Sequence, residues 1–90
     1  MRQSLGEPDP LRLKYRQLVI DAVGEVVRGR MGKSATVPFV QRYAQDRVPE
    51  QDRARLVEVI ETQLLSLHEG SIARYRLRPS QYQAWKAAWQ

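Results

Sequence analysis

The sequence contains no cysteine and only one histidine, His68. The absence of cysteine excludes disulfides, thiolate nucleophiles and cysteine-ligated zinc or iron–sulfur sites, and it fits a reducing compartment. One histidine without cysteines leaves carboxylates as the main metal ligands. We therefore expect neither a metal site nor a bound cofactor.

Long apolar runs are also missing. No stretch approaches the roughly 20 apolar residues that a membrane span needs. The N-terminal "MRQSLGEPDP" lacks the apolar segment of a secretion signal. These absences predict a soluble, cytoplasmic protein with no membrane partner.

Acidic residues are absent from the C-terminal end. Residues 71–90 contain four basic and no acidic side chains, whereas residues 34–70 contain four basic and six acidic ones. The whole chain has a formal net charge of +5. A basic excess favours partners that carry phosphate or carboxylate groups, so the C-terminal end is the first place to look for a binding surface.

The length of 90 residues and the apolar content of 42% predict one compact domain, because a chain this short cannot build two independent cores. Residues 1–8 contain few apolar side chains and predict a flexible tail. We expect residues 9–90 to form a single helical domain.

Apolar side chains recur at intervals of three and four residues, which predicts a mainly α fold. Thr36 and Ser80 are expected to cap two of the helices, and Gly70 to take the left-handed conformation after a third. His68 would then lie in the last turn of that third helix, near the negative end of its dipole. The predicted helices are four, over about 10–28, 37–47, 50–68 and 80–89.

The segment "SIARYRLRPS" alternates apolar and basic side chains, which predicts a short strand over residues 72–77. Its partner would be residues 34–37 or the same strand of a second subunit, because a single strand is marginal alone. The apolar set is Ala73, Tyr75 and Leu77, and the basic set, here called the C-terminal arginines, is Arg74, Arg76 and Arg78.

Two interpretations of the C-terminal arginines stay open. On one face of a strand they would lie about 6.6 Å apart, close to the roughly 6 to 7 Å between successive phosphates of a nucleic-acid strand. Alternatively, the arginines could form only a solvated face, or the strand could fold back so that its guanidinium groups pair with carboxylates of the third helix. Those carboxylates are Glu58, Glu61 and Glu69.

The order of "TVPFVQRYA", the helix opened by "PEQDRARL" and the strand "SIARYRL" is similar to the winged helix-turn-helix layout of many DNA-binding regulators. This resemblance implies that Gln51, Arg53 and Arg55 face the major groove while the C-terminal arginines reach phosphates. The layout departs from that family in having two acidic residues in the first turn of the recognition helix. It also lacks a second wing strand.

No residue pattern indicates catalysis. "GKS" at residues 32–34 resembles the end of a phosphate-binding loop, but position 27 is Val27 instead of glycine and a helix precedes it. The sequence places no serine or cysteine nucleophile. We therefore expect a protein that is not an enzyme and has no small-molecule substrate.

The sequence predicts a non-catalytic basic binding module, either nucleic-acid-binding or regulatory. The alternative is a protein-interaction or self-associating module that pairs through the 72–77 strand and the C-terminal helix. Candidate nucleic-acid-binding residues are Arg74, Arg76, Arg78, Arg53, Arg55, Lys33 and Arg30. Candidate partner-binding residues of the alternative are Trp85, Trp89 and Tyr82.

Overall fold

The structure, a computed structural model, describes residues 10–89. The predicted flexible tail at residues 1–8 lies outside the described residues. The mainly α prediction is confirmed, but the described chain contains no strand and more helical segments than the four predicted. In chain order they are α1 (Pro10–Lys14), α2 (Arg16–Arg28), α3 (Lys33–Arg47), α4 (Glu50–Leu65), a 3-10 helix (Glu69–Tyr75) and α5 (Pro79–Trp89).

The first predicted helix, 10–28, is divided at Tyr15. This residue leaves helical geometry, with φ −110° and ψ 33°. Hydrogen bonds continue across it, because Tyr15 N–H donates to the Leu11 carbonyl and Val19 N–H donates to the Tyr15 carbonyl, both at 2.9 Å. The Tyr15 hydroxyl also donates to Asp52 of α4 at 2.7 Å. The junction of α1 and α2 is thus held to α4.

Helix α3 begins at Lys33, four residues before the predicted start at 37. Thr36 does not cap it. Its hydroxyl donates back to the Gly32 carbonyl at 2.7 Å, and the residue is buried in the second helical turn. The extended residue Gly32 is at the cap position instead, so Thr36 lies within the helix and not at its start.

Helix α4 ends at Leu65, three residues before the predicted end at 68. Gly70 is not left-handed but lies inside the 3-10 helix. His68 is extended and precedes that helix, so it is not in the last turn of α4. The Ser71 hydroxyl accepts from the His68 N–H at 3.3 Å and donates to the His68 carbonyl at 3.0 Å, which caps the new helix locally.

The predicted strand at 72–77 is wrong. Ile72 and Tyr75, three residues apart, are both buried, which fits the three-residue turn of a 3-10 helix. Residues 34–37, the expected neighbouring strand, belong to α3. A strand without a partner leaves its backbone donors and acceptors unpaired, whereas the 3-10 helix satisfies part of them within the segment.

Two helices end in the same way, with an arginine in the left-handed conformation. Arg30 has φ 52° and Arg76 has φ 59°. At both ends the arginine N–H bonds to the carbonyl three residues back, at 3.0 Å, and the next N–H bonds five residues back, at 3.1 and 3.2 Å. This is the Schellman arrangement, in which glycine is usual because an L side chain is strained there.

Helix α5 begins at Pro79, one residue before the predicted start, and Ser80 is not its cap. The Gln81 side chain accepts from the Arg78 N–H at 2.8 Å and thereby satisfies a donor at the helix start. Between residues 10 and 89, no helix combines the length and apolar character that crossing a bilayer requires.

The buried apolar side chains of the described residues form one cluster. Helix α4 contacts α1, α2 and α3, while α5 and the 3-10 helix pack on α2. Helix α1 buries no residue completely and lies at the edge of the domain. The largest fully buried side chains are Leu56, Ile60, Leu64, Val23, Val26, Val27, Val40 and Thr36.

Candidate nucleic-acid interface

The C-terminal arginines are all exposed, but they do not share one strand face. Arg74 lies in the last turn of the 3-10 helix, Arg76 is the left-handed residue that ends it, and Arg78 directly precedes α5. The even spacing of about 6.6 Å expected on a strand does not apply to these conformations. Any phosphate contact must therefore be argued from the actual surroundings of each arginine.

Two of the three carboxylates expected to pair with these arginines have other partners. Glu58 accepts from Arg55 on its own helix, with Nη1 and Oε1 2.8 Å apart. Glu69 accepts from the Gln83 side chain at 3.0 Å. Within residues 10–89, none of the C-terminal arginines forms an ion pair with Glu58, Glu61 or Glu69. The expected ion pairs between the C-terminal arginines and these carboxylates are thus absent from the described part of the chain.

The basic residues of α4 are engaged within the protein. Arg53 is half-buried, and its Nε donates to the Val48 carbonyl in the connector between α3 and α4 at 3.0 Å. Arg55 pairs with Glu58, and Gln51 is exposed. The helices α3 and α4 follow one another as the helix-turn-helix resemblance implies. The wing strand that it also implies is absent from residues 10–89, where the segment forms the 3-10 helix.

The two other predicted basic residues flank the loop before α3. Arg30 is exposed and lines a shallow recess of ≈ 200 Å³ between the end of α2 and the start of α5. Arg28, Ser80 and Gln81 also line this recess. Lys33 is exposed in the first turn of α3 and is not part of the recess.

The aromatic residues of α5 mostly belong to the core. Tyr82 and Trp85 are buried, and their ring centroids are 6.0 Å apart. The Trp89 ring lies 5.1 Å from that of Trp85 and is half-buried. The Trp85 Nε1 is buried and has no acceptor among the described residues. Of the predicted partner-binding side chains, Trp89 is the one with substantial exposed area.

Three arginines from three segments line one cleft, here called the arginine cleft. Arg12 belongs to α1, Arg16 to α2 and Arg74 to the 3-10 helix. The cleft has a volume of ≈ 300 Å³. Arg16 and Arg74 are exposed and Arg12 is half-buried. Arg12 and Arg16 are four residues apart, a spacing that hints at a shared side, but neither was among the predicted binding residues.

Among residues 10–89, no carboxylate lines the arginine cleft. Arg12, Arg16 and Arg74 also form no ion pair with another residue of the range 10–89. The neighbouring Asp52 is engaged elsewhere, since it accepts from the Tyr15 hydroxyl and lies 3.7 Å from the Lys14 Nζ. Within the described part of the chain, the three positive charges thus have no compensating carboxylate, so an anion bound in the cleft would gain from all three.

The hydrogen bond to Asp52 changes the chemistry of Tyr15 beside the cleft. It raises the pKa of Tyr15 above its ordinary value of 10.0, and partial burial and the negative charge of Asp52 act in the same direction. The phenol therefore stays protonated and neutral at physiological pH. It contributes a structural contact and does not alter the positive charge of the cleft.

A second recess adjoins the first and shares Arg12, Arg74 and Tyr75 with it. Its volume is ≈ 260 Å³, and its other wall carries His68 and Ser71. The His68 Nδ1 lies 3.2 Å from the Ser66 carbonyl and 3.5 Å from the Ser71 hydroxyl. The two recesses together give a basic depression with polar groups on one side.

Comparison of the chain with protein-family models, with curated proteins and with solved structures gives no match. In the part of the chain that the structure describes, no histidine and carboxylate side chains gather into a group able to hold a metal ion. The case for function therefore depends on the geometry and charge of the arginine cleft.

Proposed function

We propose that this protein is a non-catalytic module that binds nucleic acid through the arginine cleft and the exposed C-terminal arginines beside it. The observation that carries the proposal is that Arg12, Arg16 and Arg74 line one cleft to which residues 10–89 contribute no carboxylate. A regulatory role would follow from the nucleic acid that is bound.

Arginine suits such a surface chemically. Its planar guanidinium presents several N–H donors and binds phosphate oxygens through two parallel hydrogen bonds. Each phosphate that is neutralised also releases condensed counterions, so binding weakens steeply as salt rises. Arg76 and Arg78 follow Arg74 in sequence and are exposed, so they add positive charge near the end of the 3-10 helix.

The left-handed arginines support a surface role. An L residue in this conformation costs about 1 to 2 kcal/mol, which glycine would largely avoid. Arg30 and Arg76 both take it and both are exposed. Since these positions do not serve the core, a binding role for the guanidinium groups accounts for the residue type better than packing does.

The test is fluorescence anisotropy with labelled DNA and RNA between about 50 and 200 mM salt. We expect log affinity to fall linearly with log salt, and Arg74→Gln to weaken binding about tenfold. Arg42→Gln on α3 is the matched control, because Arg42 is exposed and lies outside the cleft lining. Undetectable binding at low salt, or an equal loss in both variants, would contradict the proposal.

Self-association is the second candidate function, and one of its two supporting observations is lost. The strand that was to pair with a partner is absent from residues 10–89, so edge pairing no longer supports it. Exposed apolar area remains at Trp89, which is half-buried, and at Leu65, which is 70% exposed. Sedimentation equilibrium tests this candidate, since a monomer at all concentrations removes the homodimer. The non-catalytic character and the cytoplasmic location stay predictions.

A further inference from the structure

The arginine cleft has an apolar wall as well as a basic one. Leu13 of α1 lines it and is 60% exposed, and Ile20 of α2 lines it and is half-buried. A phosphate group gains nothing from aliphatic side chains, because it is strongly hydrated. A ligand that uses the whole cleft must carry an anionic group and an apolar face close together.

We infer that the arginine cleft binds one unpaired nucleotide of a single-stranded nucleic acid, with the phosphate on the arginines and the base against Leu13 and Ile20. This inference rests on the proposed function and adds the class of nucleic acid. A nucleotide carries the two required features, because its phosphate is anionic and its base has an apolar face.

The size and concavity of the cleft favour a single strand over a duplex. In a duplex each base face is covered by its stacked neighbours and each pairing edge is occupied, so a protein reaches the phosphates and the base edges in the grooves but not the base faces. An unpaired nucleotide can instead turn its base into a recess. The volume of ≈ 300 Å³ lies at the lower end of the range for pockets that hold small organic ligands.

The one other polar side chain among the described lining residues, Tyr75, has its own hydrogen-bond partner, so it does not occupy the arginines. The Tyr75 hydroxyl, buried at the back, already donates to the Gln63 side chain at 2.8 Å. Guanidinium planes stack on bases and also bond phosphates, so the same arginines can serve both parts of a nucleotide. The adjoining recess, with His68 and Ser71, offers polar groups to the next nucleotide along the strand.

A nucleic acid fits this surface better than an acidic peptide. Beyond Arg74 the exposed positive charge continues through Arg76 and Arg78, and residues 71–90 contain no acidic side chain. Every nucleotide carries a charge and a base together, whereas an aspartate or glutamate side chain carries no apolar face of its own for Leu13 and Ile20. The acidic peptide is therefore treated as an outcome of the test.

The experiment compares an oligothymidylate of about ten nucleotides with a duplex of equal length, both by anisotropy at low salt. Leu13→Ser removes the more exposed of the two apolar side chains of the wall without changing charge. We expect it to weaken single-strand binding about five- to tenfold, in line with the loss of one base contact, and to leave duplex binding unchanged. Leu65→Ser is the matched control, because Leu65 is as exposed but lies outside the cleft.

An abasic oligonucleotide of the same length gives a second readout that needs no variant. It keeps the phosphates and loses the base, so we expect it to bind about as weakly as Leu13→Ser binds the intact strand. If the abasic strand binds as tightly as the intact one, the inference is overturned while the proposed function stands. If the wild-type protein binds neither single strand nor duplex, the proposed function itself fails.

Competition separates the macromolecular partners. Oligothymidylate should displace the labelled strand at lower concentration of charge than polyglutamate does, because only the nucleotide offers a base to Leu13 and Ile20. Equal competition by polyglutamate would overturn the inference in favour of an acidic protein partner. Circular dichroism of Leu13→Ser confirms that the variant is folded, and the abasic strand keeps the inference testable if it is not.

Discussion

The arginines of α4 and those of the arginine cleft are the same residue type in opposite situations. Arg53 donates to a backbone carbonyl and Arg55 pairs with Glu58, so both are occupied within the chain. The cleft arginines have no carboxylate beside them in the lining that the described residues form. A guanidinium group is available to an external anion only where its neighbours leave its donors unused.

The helix-turn-helix resemblance predicts a different set of binding arginines from the one that the cleft presents. That resemblance assigned base contacts to Arg53 and Arg55 and left α1 without a role. In the structure α4 is central to the core, with Leu56 and Ile60 fully buried, while α1 lies at the edge and contributes Arg12 to the cleft. Variants of both sets test whether the α4 arginines serve stability and the cleft arginines serve binding.

The largest effect is expected from removing two cleft charges together. Arg12→Gln with Arg74→Gln should lower affinity for a single-stranded oligonucleotide about 100-fold at low salt, since each guanidinium contact to phosphate contributes about tenfold. Stability measured by urea unfolding should change by less than about 0.5 kcal/mol, because neither group has a described partner.

The control for this pair is Arg42→Gln with Lys86→Gln, which removes the same charge from α3 and α5. It should reduce affinity much less. An equal reduction would mean that overall charge, and not the cleft, determines binding, and the comparison between the two sets of arginines would lose its basis.

Arg53→Met should have the opposite signature. It keeps the length of the side chain and removes the Nε hydrogen bond to the Val48 carbonyl, so we expect a loss of about 1 kcal/mol in the free energy of unfolding. Affinity for nucleic acid should stay unchanged. A drop in affinity comparable to that of a cleft variant would place α4 in the interface and break the division.

Tyr15→Phe should lower stability by a smaller amount, because it removes the hydroxyl that holds the α1–α2 junction to Asp52. The effect should depend on pH. The Asp52 hydrogen bond raises the pKa of Tyr15, so the folded state holds this proton more tightly than the unfolded state.

The stabilisation by Tyr15 is therefore fully present below its unfolded pKa of about 10 and is lost as pH rises through the higher folded value. Urea unfolding of the wild type and of Tyr15→Phe at a series of pH values checks this. The difference between the two proteins should be constant from neutral pH to about 9 and shrink above about 10. A difference that grew with pH would contradict the assignment.

The smallest effect is expected at the left-handed arginines. Arg76→Gly should raise the free energy of unfolding by about 0.5 kcal/mol, because relief of the strained conformation exceeds the extra freedom of glycine in the unfolded chain. Arg30→Gly should act similarly. If Arg76 contacts phosphate, its replacement also weakens binding slightly, so stability and affinity would move in opposite directions.

The sequence predicted the helices well where apolar spacing was unambiguous. Leu56, Ile60 and Leu64 repeat at intervals of four, and this spacing indicated α4 correctly. At residues 72–77 two periods compete. Ala73, Tyr75 and Leu77 repeat every second residue, whereas Ile72 and Tyr75 are three apart. The absence of a neighbouring strand decides for the three-residue period, and local spacing carries no information about neighbours.

The candidate site was predicted only in part. Arg74 was identified from the alternating basic residues, for a reason that proved wrong, since the strand does not exist. The sequence gives no sign that Arg12 and Arg16 belong to the site, because they lie on an ordinary amphipathic segment far from Arg74 in sequence. Their convergence depends on α1, α2 and the 3-10 helix meeting at one edge of the domain.

The sequence by itself determined the helical class, the basic excess and the absence of cysteine chemistry, because composition and apolar periodicity express these properties directly. The tertiary structure alone decided which arginines are occupied and which line a cleft. The physical reason is that a guanidinium group can bond a carbonyl, a carboxylate or an external anion. Which of these it meets depends on packing between segments that are distant along the chain.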